Sequence, residues 1–100
     1  MFKLDLYDFD SNKVIKTVHK AFCPTYIYIE FEKVRENVEK QNLTNDIEVV
    51  DLLCDTFLKL FPELTKEEYY NNTVIGDLMF VFGQIVNKAA TLTSFPRKNA

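Results

Sequence analysis

Apolar and polar positions change their period along this chain, and the change marks out its elements. Over residues 2–9 they alternate at first: Phe2, Leu4 and Leu6 face one way, Lys3 and Asp5 the other, which predicts a strand. Asp10-Ser11-Asn12-Lys13 has turn chemistry, because Asp and Asn bond their own backbone and tolerate unusual dihedrals. Val14 to Val18 is β-branched enough for a return strand. Residues 2–19 therefore predict a β-hairpin. An isolated hairpin is marginal in water, so it must lie on the elements that follow. After Pro24 the period lengthens. Ile27, Phe31, Val34 and Val38 recur at helical spacing among charged residues, predicting a narrow amphipathic helix over about 26–41. Tyr26-Ile27-Tyr28-Ile29 opposes that start, since these residues favour strands; a helix beginning only near Glu32 is the alternative.

The stretch DIEVVDLLCDTFLKLF, residues 46–61, organises the rest. On a helical wheel, Ile47, Val49, Val50, Leu53, Cys54, Phe57, Leu58, Leu60 and Phe61 share roughly half the circumference. Glu48, Asp51, Asp55 and Lys59 fall on the other side. So wide an apolar arc predicts a helix with at least two neighbours packed on it. The polar stretch Gln41 to Asn45 reads as a loop, with Asn45 or Asp46 capping the helix. Pro62 stops it, lacking the amide hydrogen. Thr65 followed three residues on by Glu68 is a capping box, predicting a short helix over 66–71. A last helix is expected over about 74–92, with Ile75, Leu78, Met79, Phe82, Ile85, Val86 and Ala89 inward. Gly76 and Gly83 each weaken it by about 1 kcal/mol relative to alanine, unless they serve a close helix contact. Residues 94–100 are expected to be a flexible tail. The fold class is mainly α, at the margin of α+β: a small helical domain of three to four helices with an N-terminal β-hairpin, one domain over residues 1–93.

Composition narrows the function classes. The 100 residues carry twelve Lys and Arg against fifteen Asp and Glu, a net charge of −3, and no basic run. That opposes a nucleic-acid partner, whose footprint is a basic face, and an anionic membrane surface. The N-terminus has an early acid and no apolar run, so no secretory signal is expected. The window from Val74 to Leu92 is too polar for a membrane span. Cys23 and Cys54 lie in unrelated contexts with one histidine, His19, in the chain, so metal-ligand spacing is absent and reduced thiols in a cytoplasm are expected. Asp51 and Asp55 could form a carboxylate pair, but they line a polar stripe, and Asp55 stands four residues before Lys59, the spacing of a helix ion pair. A Cys23–His19 pair is conceivable, yet no spacing specific to catalysis supports it. With two glycines there is no phosphate-cradling loop. No enzyme activity, cofactor or metal is expected.

Two residues break the helical pattern. Phe80 falls on the polar side of the last helix among Asp77, Gln84, Asn87 and Thr91, and Leu52 falls off the central arc. Either the hairpin or the first helix covers them, or they form an apolar docking surface for another protein.

The whole-chain layout resembles the tail assembly chaperones of long-tailed phages and prophages of Gram-positive bacteria. The matching features are the short N-terminal strand region and Phe22-Cys23-Pro24 leading into a helix. They continue with EVVDLLCDTFLKLFPELTKEEYYNN and with TVIGDLMFVFGQIVNKA, a helix opening with Gly-Asp. The resemblance implies a non-catalytic protein of the bacterial cytoplasm, absent from the finished virion. Its partner would be the tail tape measure protein, with other tail proteins as further candidates, and Leu52 and Phe80 are the candidate partner-binding residues. A small phage or host regulator acting on one folded partner is the alternative. Oligomeric state cannot be read from the sequence.

Overall fold

The computed structural model of the chain describes residues 1–42 and 45–98, the side chains of 88–98 excepted. Strands β1 (Phe2–Asp8) and β2 (Lys13–Lys20) are followed by helices α1 (Thr25–Lys40), α2 (Asp46–Leu60), α3 (Lys66–Asn71) and α4 (Ile75–Lys98). The expected class, a mainly helical domain with an N-terminal hairpin, is the class observed. Leu43 and Thr44 of the expected loop lie outside the described residues, as do Asn99 and Ala100 of the expected tail.

The hairpin pairs antiparallel, with Leu4 opposite Val18 and Asp5 opposite Thr17. Asp8 accepts from the Asp10 N–H at 3.1 Å and from the Ser11 hydroxyl at 3.0 Å, and Asn12 takes φ of 59°, so the turn closes as its residues predict. Leu4, Leu6 and Val18 are buried under the sheet. Val14 and Ile15 are exposed, although they belong to the apolar run of β2. A register shift between Leu6 and Tyr7 leaves Ile15 without a partner, and such a bulge turns the strand end away from the core.

Helix α1 begins at Thr25, so Tyr26 to Ile29 are helical. Burial decides against their strand propensity: Ile27, Phe31 and Val34 reach the core at helical spacing, while Tyr26 and Ile29 face outward. Asn45 caps α2, accepting from the Ile47 N–H at 2.9 Å. Leu53, Phe57 and Leu60 are buried, as is the ring of Phe61 just past the helix end. Ile47 is 70% exposed, contrary to its place on the arc, because the first turn of α2 extends past the elements that cover the rest. The capping box on α3 forms in both directions, Glu68 N–H to Thr65 at 3.1 Å and Thr65 N–H to the Glu68 carboxylate at 3.0 Å.

Rings hold the centre of the core. Phe57 meets Phe31 edge-on at 5.3 Å and Tyr69 at 5.8 Å, and the Tyr69 hydroxyl donates to the Val50 carbonyl at 2.6 Å. Leu78, Val81, Ile85 and Val86 of α4 close the core against α1 and β1. Ile75 was expected inward but is exposed, and Val81 takes an inward place instead: α4 approaches the core only after its first turn. Ala89 lies outside the described side chains. Helix α4 runs to Lys98, so residues 94–98 of the expected tail are helical in backbone. Neither glycine serves a close contact. An added Cβ at Gly76 would meet nothing within 4 Å, and at Gly83 only the Asn87 side chain at 3.5 Å.

Candidate docking surface

Helix α4 sets Asp77, Phe80 and Gln84 three and four residues apart, so they share one face. That face looks onto the odd-numbered residues of β1, which the strand period turns away from the core. Met1, Lys3 and Asp5 on one side and Asp77, Phe80 and Gln84 on the other line a cleft of about 360 Å³. A second hollow of about 530 Å³ shares Met1, Phe80 and Gln84 and continues the cleft along α4 to Gly83. Phe80 is 67% exposed and Met1 79%, so the neighbourhood offers uncovered apolar surface.

Two contacts fix the end of the cleft. The Tyr7 hydroxyl donates to Asp77 at 3.2 Å, and burial, then that carboxylate, push the tyrosine up from its ordinary value. The Tyr7 N–H donates to the Asn72 carbonyl at 2.8 Å, and the Asn72 side-chain amide donates to the Tyr7 carbonyl at 2.9 Å. Asn72 thus binds the strand edge as a neighbouring strand would. The Thr73 hydroxyl donates to the Tyr69 carbonyl, tying this junction back to α3.

The hairpin and α1 leave both candidate residues uncovered, Phe80 as above and Leu52 at 40% exposure. They do not share a site: Phe80 lines the cleft beside β1, whereas Leu52 lies on α2 and lines neither hollow. Sequence reasoning placed Asp77 and Gln84 beside Phe80 but missed Met1, Lys3 and Asp5 as its neighbours. The strand and helix that carry them are some seventy residues apart in the chain. Their one signal is the outward parity of β1.

The groups weighed for chemistry are placed otherwise than their spacing suggests. Lys59 pairs with Glu30 of α1 at 2.6 Å and not with Asp55, because α1 packs beside that face of α2. That carboxylate raises the Lys59 ammonium above its ordinary value. Asp51 accepts from the Tyr70 hydroxyl at 2.8 Å and raises it. The Cys23 thiol contacts the Pro24 carbonyl at 3.7 Å, and burial pushes it up, the direction opposite to activation. No described hydrogen bond joins it to His19, which is exposed. Among the described residues no cluster of His, Cys, Asp or Glu could hold a metal ion, and no helix is long and apolar enough to cross a membrane.

This arrangement defines a small helical domain with a strand-and-helix cleft. Comparison of the chain with protein-family models, with curated proteins and with solved structures gives no match.

Proposed function

We propose that this chain is a non-catalytic protein-binding domain that serves as a tail assembly chaperone, holding the tape measure protein before the tail tube polymerises around it. The observation that carries the binding role is Phe80, a large ring left mostly in water on a helix face that is otherwise polar. A ring so placed contributes little to folding and gains most when a partner covers it. The resemblance in whole-chain layout supplies the identity of that partner. The domain's acidic balance, −3 over the chain, suits a partner with basic helical segments. Co-expression with the tape measure protein of the same genome tests the proposal. The wild type is expected to co-purify with it, and Phe80→Ala to weaken the complex by about 1 kcal/mol or more while keeping its melting temperature. A wild-type protein that fails to co-purify, or a Phe80→Ala variant that binds as tightly, overturns it.

A further inference from the structure

The acid excess of this chain is concentrated on two helices. Residues 46–71, which hold α2 and α3, carry seven Asp and Glu against two Lys, whereas the rest of the chain carries ten Lys and Arg against eight Asp and Glu. Ion pairs between elements do not remove the excess. Glu30 takes Lys59, and with that lysine counted the charges of α1 cancel, four Glu against Lys33, Arg35, Lys40 and Lys59. Lys16 of β2 takes Glu68, and with it the charges of α3 cancel as well. Asp46, Glu48, Asp51 and Asp55 of α2 are left uncompensated, and none of them belongs to an ion pair among the described residues. The bond that Asp51 accepts from Tyr70 comes from a neutral hydroxyl and leaves the charge in place.

Helical spacing sets Glu48, Asp51 and Asp55 in a ridge along the solvent side of α2, where all three are exposed. Apolar side chains flank the ridge. Ile47 and Tyr70 lie on one side, the tyrosine held there by Asp51, and Leu52 lies on the other; they are 70%, 44% and 40% exposed. We propose that this face of α2, with the adjoining edge of α3, docks a basic amphipathic helix of a partner protein. Lysine or arginine side chains of that helix pair with the ridge, and apolar ones beside them cover Ile47, Leu52 and Tyr70. The class of occupant follows from the face. The backbone of α2 is bonded within the helix, so an extended segment finds no main-chain partner here, whereas a helix brings its own backbone satisfied and seats its ridges against those of α2. Uncompensated carboxylates select a basic partner and repel nucleic acid. A second copy of this chain presents the same carboxylates and is repelled at an isologous contact.

The inference deepens the proposed function, sharing with it the need for a protein partner, and lies on a surface separate from Phe80. The probe is a synthetic peptide of leucine, lysine and alanine, about 18 residues long, with leucines at helical spacing on one face and lysines beside them. One control scrambles its order, and another has glutamate for every lysine. On the full chain the basic peptide should bind saturably, shift the amide NMR signals between Ile47 and Asp55 and that of Tyr70, and weaken as salt rises. Both controls should bind at least about tenfold more weakly. The double variant Glu48→Gln with Asp55→Asn changes exposed groups and should keep its circular dichroism and melting temperature while binding the basic peptide about tenfold more weakly. Equal binding of the scrambled peptide, or no saturable shift up to about 1 mM, overturns the inference. So does a wild-type dimer that the double variant breaks, which assigns the face to a second copy. Shifts centred on Lys3 and Phe80, or full binding by the double variant, overturn it and leave the proposed function standing. Binding of the peptide at α2 by a protein that fails to co-purify with the tape measure protein does the reverse.

Discussion

Phe57→Ala and Phe80→Ala make one chemical change at two depths. Phe57 is 0% exposed, with ring contacts to Phe31, Phe61 and Tyr69. Its truncation loses the full transfer energy of the ring and leaves a cavity between α1, α2 and α3, a combination that costs about 3–5 kcal/mol. For a domain of this size that lowers Tm by roughly 12 °C or more, a large share of a typical total stability of about 5–15 kcal/mol. Phe80 is 67% exposed, so about a third of its surface is covered. Full burial of such a side chain is worth about 1.5–3 kcal/mol, and a third of it roughly 0.5–1. Alanine returns about half a kcal/mol through its better helix propensity. The net change at Phe80 should be under about 1 kcal/mol, within a few degrees of the parent. Urea titration followed by far-ultraviolet circular dichroism measures both, with the slope checked for two-state behaviour. Equal losses for the two variants, or a larger loss at Phe80, would refute the division between core ring and surface ring.

Three further expectations concern α3 and α4. Thr65→Ala removes the acceptor of the Glu68 N–H, and should cost about 0.5–2 kcal/mol in the same titration. Glu68 is held below its ordinary carboxyl value, first by the Thr65 backbone N–H and then by Lys16, so its contribution is present above pH about 4.5 and is lost as pH falls through its lowered folded value. The stability gap between wild type and Glu68→Gln should therefore shrink on acidification; a gap that is constant with pH would refute the assignment. Gly83→Ala meets only the Asn87 side chain at 3.5 Å, and should raise stability by about 0.5–1 kcal/mol in thermal melting.

The sequence by itself determined the elements whose signals are local. The β1 alternation, the Asn45 cap, the Thr65–Glu68 box and the Pro62 stop act within a few residues, and each stands in the structure where its chemistry puts it. The break in period at Phe80 and Leu52 was legible, because a helix face is set by spacing alone, but their exposure was decided by which elements pack around them. Tertiary structure decided what depends on neighbours. Tyr26 to Ile29 became helix because α1 buries Ile27 and Phe31, and Lys59 turned to Glu30 because α1 lies beside α2. Ile47 and Ile75 stayed in water because the arcs of their helices outrun the surfaces that cover them. The cleft is the clearest case: its two walls are strand and helix from opposite ends of the chain, and only the packing of α4 along β1 brings Phe80 beside Lys3 and Asp5. Periodicity says which way a side chain faces, and the fold alone says what it faces.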